Sequence, residues 1–334
     1  MEINSKKLYD RFRCSRAFTV FFQQFASSGV GGTSRGHHAQ VRRKHGPLHA
    51  APQLMAEDLL RAEGFTDVRV ANLPGPDVQP ALDAGNVNFA MGYASQFIAA
   101  LDSGARLTLL TGLMVGCFEL FGNDRVRGIG DLKGKSIGVQ AIGSLPHTLA
   151  TLMAAQVGLD PKTDIRWVTD PDVKPIELFA SGRIDAFLGF PPEPQELRER
   201  KVGHVLVNTA LDRPWSQYFC CLLAGNREFV QKYPIATKRA VRAYLKATDL
   251  CASEPARAAQ QLVNRTTLTK RYDYALQTLT DNPYKWRDYD PEDTIRFYSL
   301  RLHEVGLIKT SPHKLIAEGT DWRFVNELKR ELKA

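Results

Sequence analysis

The residues best suited to bind a ligand are Gly143, Ser144 and His147, which lie between a predicted strand and a predicted helix. Unpaired backbone N–H groups at a helix N-terminus, together with the helix dipole, favour a negatively charged group. The Ser144 hydroxyl can donate to such an anion or can simply cap the helix, and His147 can face the ligand or the surface. The segment predicts an anion site, without the G-x-x-x-x-G-K-[ST] spacing of a phosphate-binding loop.

Two acidic residues lie where their charge requires an explanation. Glu119 interrupts an apolar stretch, so it needs a ligand amine or a nearby arginine if it is buried, and it faces water if its strand lies at an edge. Glu193 follows a strand in a loop that contains three prolines. Because prolines stiffen a loop, this segment suits the wall of a ligand site. Glu193 is expected either to pair with a cationic group of a ligand or to be a solvated loop acid.

Two aromatic residues, Tyr93 and Phe190, end a motif that occurs twice, at 82–93 and 179–190. Each copy reads as a helix end, a glycine, a short apolar strand and then Gly-aromatic. Glycine suits the position after a helix because it reaches positive φ without a Cβ clash. Since ligands bind at the carboxyl ends of strands in open α/β sheets, the repeat predicts two lobes that share a cleft. The alternative is two ordinary α/β turns.

The elements that position these residues form an alternating pattern. Strands and helices alternate from residue 51 to residue 224, which favours parallel α/β sheets, and the chain is predominantly helical after residue 234. The apolar run Leu107–Val115 predicts a central strand. Phe118 follows this strand and Trp215 precedes a predicted return strand. We expect both to shape an apolar enclosure with Tyr93 and Phe190.

Composition excludes several classes of protein. The 334 residues are 43% hydrophobic and 24% charged, which is ordinary for two globular domains. No apolar stretch reaches the length of a membrane span. Most of the net charge of +8 lies in the first 49 residues. Because the rest of the chain is nearly balanced and has no basic stripe with interleaved aromatics, no nucleic-acid partner is expected.

The five cysteines show neither metal-ligand spacing nor a disulfide pattern. Cys220 and Cys221 are neighbours in a predicted strand, so their side chains should point to opposite faces. We interpret them as small buried hydrophobic residues, and we expect no metal and no cofactor. Signatures of catalysis are also missing: G-x-S-x-G does not occur, and His303-Glu304 is not followed by a second zinc histidine. No catalytic residue is predicted.

Three features in this order carry a family resemblance: the segment Ile129–Val139, which contains Asp-Leu-Lys-Gly-Lys; the paired Gly-aromatic strands; and Ala224–Phe229 before Tyr233-Pro234. They resemble substrate-binding proteins of ABC importers of the nitrate/sulfonate/taurine type, which includes binders of thiamine-pyrimidine precursors. The resemblance spans residues 51–334. It implies an α/β periplasmic-binding-protein fold of type II, with two lobes of parallel-rich sheets, two crossing strands and a helical C-terminal third that packs mostly on the first lobe.

The resemblance also implies domain boundaries and site residues. Residues 49–118 and 224–334 would form lobe 1, and residues 119–223 would form lobe 2. The turn at Gly143 and Ser144 and the two strand ends would face the ligand. Gln53, in the loop before the first helix, would line the same cleft.

The function implied by the resemblance is capture without turnover. The ligand would be a small anion (a sulfonate, a nitrate-like ion or a carboxylate) or a pyrimidine, and the protein would be a periplasmic monomer that docks on an ABC permease at the inner membrane. One alternative is an enzyme on the same scaffold, a decarboxylase or the iron-dependent thiamine-pyrimidine synthase whose cysteine-rich strand would align with Cys220-Cys221. Another is a soluble sensor.

The first 48 residues depart from the family pattern. A signal peptide and a first β-strand are expected before Ala51, but this basic segment offers only a short apolar run after Arg16 and then a Gly/Ser/Arg/His-rich stretch. We interpret residues 1–48 as disordered. We hypothesise that a degraded signal or a shifted reading frame has replaced the first strand.

Overall fold

The computed structural model describes residues 16–21, 51–266 and 269–332. The strands are β1 Arg16–Phe21, β2 Arg69–Pro74, β3 Phe89–Tyr93, β4 Leu107–Val115, β5 Glu119–Gly122, β6 Lys135–Gly138, β7 Ile165–Val168, β8 Ala186–Gly189, β9 His204–Asn208 and β10 Phe219–Asn226. The helices are α1 Ala51–Ala62, α2 Val78–Asp83, α3 Ala94–Asp102, α4 Leu145–Gln156, α5 Pro175–Ala180, α6 Glu193–Glu199, α7 Arg227–Lys232, α8 Pro234–Ser253, α9 Pro255–Arg265, α10 Tyr272–Asp281, α11 Pro291–Glu304, α12 Pro312–Gly319 and α13 Arg323–Glu331.

The strands form two five-stranded sheets, with two reversed strands inside the first and one inside the second. The first sheet has the order β2-β1-β3-β10-β4, and the second has the order β7-β6-β8-β5-β9. β1 and β10 run antiparallel to their neighbours in the first sheet, and β5 does so in the second. β6 pairs in parallel with β7 and β8. The predicted two-lobed α/β fold is confirmed, although its sheets are mixed rather than largely parallel.

The chain passes between the sheets twice. Residues 116–118 link β4 to β5, and residues 209–218 link β9 to β10. We name the part built on the first sheet lobe 1 and the part built on the second sheet lobe 2. Because β10 begins at Phe219, residues 219–223 belong to the first sheet and not to the range 119–223 that was predicted for lobe 2.

The core of lobe 1 surrounds β4 and β10, all of whose residues are buried. The Leu107–Val115 strand has the predicted bounds but lies at the edge of its sheet, not at its centre. It is buried there because α8, α12 and α13 pack against it and because Leu109 pairs with Thr320 in an isolated bridge. An edge strand covered in this way reads in sequence like a central one.

The helical C-terminal third packs on lobe 1 and also reaches lobe 2. α8 lies against α1 and β4, α9 against α1, and α10 against α9. The N–H of Val115 at the end of β4 donates to the carbonyl of Pro283, directly after α10 (2.9 Å). On its other side α10 meets α6 of lobe 2, where Gln195 Nε2 donates to Thr278 Oγ1 (3.0 Å) and Glu199 pairs with Arg271.

A strand within residues 1–48 corrects the prediction for this segment. Residues 16–21, part of the segment predicted to be disordered, form β1 between β2 and β3. The first sheet therefore has a strand from the N-terminal segment, whereas the hypothesis that the stretch after it has replaced a first strand concerns residues outside the described ones. The remaining predictions for residues 1–48 lie outside the described residues.

No helix among the described residues is both long and apolar enough to cross a membrane.

Candidate functional site

Three aromatic rings meet where the two lobes join. Tyr93 ends β3 of lobe 1, Phe118 lies in the first crossing segment, and Phe190 follows β8 of lobe 2. The ring centroids of Tyr93 and Phe118 are 5.5 Å apart, and those of Phe118 and Phe190 are 5.8 Å apart. Phe118 is almost fully buried, whereas the other two rings are partly exposed. We call these three residues the aromatic cluster; it forms an apolar surface shared by both lobes and their connection.

One helix of each lobe also approaches the other lobe: α3, which follows β3, and α4, which follows β6. α3 begins directly after Tyr93, and α4 begins after Ser144 in lobe 2. The two helices are in contact across the cleft. The ring contacts show that the lobes meet at the carboxyl ends of β3 and β8, as the repeated motif predicted, and the turn at Gly143 and Ser144 directly precedes α4.

Ser144 occupies the position before α4, where a hydroxyl normally caps a helix. Its backbone is extended (φ −64°, ψ 162°), but its side chain accepts no hydrogen bond from the first turn. The Oγ atom is buried and has no hydrogen-bond partner within the described residues. Because buried polar atoms nearly always have a partner, this finding argues against the ordinary cap.

His147 is held against the same turn. The N–H of Gly143 (φ +83°) donates to His147 Nδ1 at 3.2 Å, and the imidazole packs on Trp167 with centroids 4.5 Å apart. Desolvation lowers the pKa of His147 below its usual range, so the ring is neutral at pH 7. An anion at this turn would therefore be stabilised by hydrogen bonds and the helix dipole, and not by a histidine cation.

Glu193 lies beside the aromatic cluster and differs from a solvated loop acid. It is the first residue of α6, and its carboxylate accepts the N–H of Phe190 at 3.2 Å. Burial raises the pKa of Glu193 to about 7, and the carboxylate is close enough to Tyr93 to help raise the pKa of that phenol, which is raised mainly by desolvation. At neutral pH this carboxyl group therefore changes its charge easily.

Glu119 has a protein partner, as one of its predicted alternatives required. At the start of β5 its carboxylate pairs with Arg198 of α6, and Arg198 also lies 6.0 Å from the centre of the Phe121 ring. Both partners belong to lobe 2. Because this ion pair neutralises Glu119, the residue does not supply a free carboxylate to the cleft.

Trp215 and Gln53 are both buried, in different surroundings. Trp215 lies in the second crossing segment and packs on Phe297 and Tyr298 of α11, with centroids 5.6 and 6.5 Å apart. It therefore fixes the crossing segment to the helical third, and no ring contact links it to the aromatic cluster among the described residues.

Gln53, in the first turn of α1, is 2% exposed, and its Nε2 has no partner in the described part of the chain.

A group of three thiols next to the aromatic cluster was missed by the sequence analysis. The sulfurs of Cys117, Cys220 and Cys221 lie within 4.8 Å of one another, and all three residues are buried. The expectation that Cys220 and Cys221 point to opposite faces is wrong because the pairing of β10 with β4 is irregular at these positions. No sequence spacing could have indicated this group, since Cys117 lies a hundred residues away.

A separate cavity of about 410 Å³ lies on lobe 1. It is lined by the segment after α1 and by α7 and the start of α8, including Phe65, Phe229, Tyr233 and Arg239. None of the predicted site residues lines it.

Comparisons with known proteins identify one matching family model and several similar solved structures. Residues 121–265 match the model of the NMT1-like family. A comparison with curated protein sequences finds no match.

Several solved structures are similar over most of this chain. The periplasmic aliphatic sulphonate binding protein SsuA from Escherichia coli is 18% identical with a TM-score of 0.65, covering 82% of this chain and 90% of that one. The periplasmic nitrate-binding protein NrtA from Synechocystis PCC 6803 is 14% identical with a TM-score of 0.67, covering 87% and 89%. The desulfurization enzyme DSZB is 16% identical with a TM-score of 0.54, covering 84% and 96%.

These neighbours share one architecture with different functions, so they bear first on the fold. The chain has the two-lobed periplasmic-binding-protein fold, and its predicted resemblance in fold to sulfonate-binding and nitrate-binding proteins is confirmed.

Proposed function

We propose that this protein is the solute-binding component of an ABC importer and captures a small anion between its two lobes. The ligand class is a sulfonate, a nitrate-like ion or a carboxylate, with a pyrimidine as a neutral option. In this proposal the protein acts as a periplasmic monomer and delivers its ligand to a permease at the inner membrane.

The observation that carries the proposal is the aromatic cluster at the junction of the lobes. Tyr93, Phe118 and Phe190 come from lobe 1, the crossing segment and lobe 2 respectively, and they are in ring contact. A ligand that binds there touches every part of the chain that moves when two lobes close on a solute. The fold shared with sulfonate-binding and nitrate-binding proteins supports the same function.

The polar groups around the cluster support an anion more than a cation. Ser144 offers a buried hydroxyl at the N-terminus of α4. Of the two acids in the region, Glu119 is neutralised by Arg198, and the raised pKa of Glu193 lets it become protonated near pH 7. An anion that binds beside Glu193 would favour this protonation, so its affinity should increase as the pH falls through 7.

Thermal unfolding against a panel of small sulfonates, carboxylates, inorganic anions and pyrimidines tests the proposal. A ligand present at a hundred times its dissociation constant stabilises the folded state by about 2.7 kcal/mol, which is enough to measure. A shift with one chemical class would identify the ligand. A cooperative unfolding transition that none of these compounds moves would contradict the proposal.

Two serine variants then test the anion site. Ser144→Ala should weaken binding of the ligand found by the panel by about 10- to 100-fold, because a hydrogen bond to a charged group contributes about 1.5–3 kcal/mol. The matched control is Ser311→Ala, since Ser311 does cap its helix by accepting the N–H of Lys314 (3.3 Å). The control should lose some stability and no affinity. Equal affinities for Ser144→Ala and the unmodified protein would remove Ser144 from the site.

A second candidate function is catalysis on the same scaffold, which the likeness to DSZB favours. Incubating the protein with its ligand and analysing the mixture by mass spectrometry distinguishes the two. Quantitative recovery of unchanged ligand supports capture without turnover, and a new product in catalytic amounts would replace the proposal with an enzyme.

A further inference from the structure

The three-thiol group lies where the two crossing segments meet. Cys117 is in the first crossing segment, between Gly116 and Phe118, and Cys220 and Cys221 are the second and third residues of β10, which follows the second crossing segment. All three sulfurs are within 4.8 Å of one another, and those of Cys220 and Cys221 are 3.9 Å apart. None of the three residues is more than 8% exposed.

An irregular strand pairing creates the group. In the pairing of β10 with β4, Phe219 lies opposite Val115 while Cys221 lies opposite the adjacent residue Met114, so Cys220 is an extra residue. An inserted residue of this kind is a β-bulge, which locally breaks the alternation of side chains between the two faces of a strand. The bulge therefore allows two consecutive cysteines to direct their sulfurs toward the same space, next to Cys117.

The distance between two of the three sulfurs matches the sulfur–sulfur distance in a metal–thiolate site. In a trigonal site with metal–sulfur bonds of about 2.3 Å, neighbouring sulfurs lie about 4.0 Å apart, and in a tetrahedral site they lie about 3.8 Å apart. The Cys220–Cys221 separation of 3.9 Å agrees with both values. Thiolates are the ligands that select Cu(I) and Zn(II) over hard cations. We propose that Cys117, Cys220 and Cys221 form a three-thiolate site for a soft, closed-shell metal ion at the junction of the two lobes.

The surroundings restrict the kind of ion. No histidine or carboxylate of the described residues joins the three thiols as a further ligand. A structural zinc ion normally has four ligands, so Zn(II) would need a water molecule here, whereas Cu(I) is satisfied by three sulfurs. The phenols of Tyr93 and Tyr298 lie near the thiols, and a phenol is protonated at neutral pH. They can therefore donate hydrogen bonds to the bound thiolates, as outer-shell groups commonly do.

Metal binding must displace the thiol protons. All three cysteines are buried, and a cysteine in apolar surroundings is a thiol at neutral pH. Each sulfur that binds the metal releases its proton to solvent. We therefore expect the affinity to increase with pH.

Two cysteine variants of the full chain isolate the site. The chain has five cysteines, so Cys14→Ala/Cys251→Ala leaves only the three proposed ligands, and Cys117→Ala/Cys220→Ala/Cys221→Ala leaves only the other two. Cd²⁺ is the first probe, because its bonds to sulfur produce ultraviolet charge-transfer absorption. Zn²⁺ and Cu(I), the latter under reducing conditions with a competing chelator, are the second and third.

We expect the first variant to bind one equivalent of Cd²⁺, with three sulfur neighbours in the X-ray absorption spectrum, and the second variant to bind none. Tighter binding of Cu(I) than of Zn²⁺ would assign the three-coordinate ion, and the reverse order would assign zinc with a water ligand. Equal metal binding by the two variants would overturn the proposal.

Single variants keep the test valid if the triple variant does not fold. Replacing one outer-shell group commonly weakens metal binding by 10- to 100-fold, so Cys117→Ala or Cys220→Ala should weaken it by more than about 100-fold. Unchanged affinity in either variant with a cooperative unfolding transition would exclude that cysteine as a ligand and overturn the three-thiolate site. Because the readout is metal binding, failure of the anion experiment leaves this result unaffected.

Discussion

The two copies of the Gly-aromatic motif share the geometry of their glycine turn, and a buried polar residue after the turn has different partners in each. Gly85 and Gly182 both have φ +72° and donate their N–H to a carbonyl three residues earlier, at 3.1 and 3.0 Å. Three residues after each glycine both copies have a buried polar residue, which is Asn88 in lobe 1 and Asp185 in lobe 2. The turn is therefore built the same way twice, and the polar residue that follows it is different.

Asp185 is the centre of a hydrogen-bond network, and Asn88 is not. The carboxylate of Asp185 accepts the backbone N–H and the hydroxyl of Ser136 (2.9 and 2.7 Å) and the amide of Asn123 (3.2 Å), and it pairs with Arg125 (2.5 Å). Burial alone would raise its pKa, but these partners lower it to about 2. By contrast, Asn88 Oδ1 is buried with no partner within the described residues. The polar side chain therefore joins several segments of lobe 2, whereas the oxygen of its counterpart in lobe 1 joins none that the structure describes.

Replacing the polar residue in each copy should give the largest difference in stability between matched variants of the two lobes. Asp185→Ala leaves the buried donors of Ser136 without an acceptor, so it should lower the free energy of unfolding by about 2–4 kcal/mol. Asn88→Ala removes an oxygen that has no partner in the described structure, and should cost less than about 1 kcal/mol. Urea unfolding of both variants measures the two values. Equal losses would show that the copies contribute alike and would break the comparison.

Lowering the pH should remove the stabilisation that the Asp185 network contributes to lobe 2. The folded-state pKa of Asp185, about 2, is below its ordinary value of 3.8. Its stabilisation is therefore fully present above about pH 4 and is lost as the pH falls toward 2. The stability difference between the unmodified protein and Asp185→Asn should shrink over this range by about 2 kcal/mol. A difference that is constant from pH 5 to pH 2.5 would contradict the assigned pKa.

Glu193 should affect stability at the opposite end of the pH range. Its folded-state pKa of about 7 is above its ordinary value of 4.5, so its ionisation destabilises the folded state increasingly as the pH rises from about 4.5 through 7. Glu193→Gln should therefore be more stable than the unmodified protein at pH 8, by about 1–3 kcal/mol, and similar to it at pH 4. Thermal unfolding at both pH values is the measurement. No gain at pH 8 would place the carboxylate in a better solvated environment.

Replacing the two glycines should give the smallest losses of stability, and the two losses should be nearly equal. Alanine at φ +72° is strained by about 1 kcal/mol wherever it stands. An added Cβ would meet nothing within 4 Å at Gly182 and only the Asn226 amide, at 3.7 Å, at Gly85. Gly85→Ala and Gly182→Ala should therefore lose similar amounts of stability in urea unfolding. A difference above about 1 kcal/mol would mean that the surroundings of the two glycines differ although their backbone conformation is the same.

Local signals in the sequence predicted the elements well. Glycines after helices located both copies of the motif, and the apolar run Leu107–Val115 became β4 with the same bounds. The aromatic residues Tyr93, Phe118 and Phe190 were predicted to share an enclosure, and the structure brings these three together. These successes depend on short-range rules of periodicity, turn geometry and strand ends.

What the sequence did not predict depends on partners that are distant in the chain. The Arg198 partner of Glu119 lies 79 residues away, and Trp215 turns toward α11 because Phe297 and Tyr298 pack against it. The three thiols require both a bulge and a contact across a hundred residues. None of these has a local signature. The place of β1 was missed for a similar reason, since strand pairing alone identifies it.

The contact between α10 and α6 has a consequence for how fast a bound solute could leave. α10 is fixed to lobe 1 through α9 and through the Val115–Pro283 hydrogen bond, so lobe 2 cannot swing away until α6 separates from it. Part of this contact, Arg271 with Glu199, is exposed and weakened by salt, and part, Gln195 with Thr278, is buried and insensitive to it. The residence time of the solute should therefore shorten with ionic strength only to a plateau, which the buried pair sets.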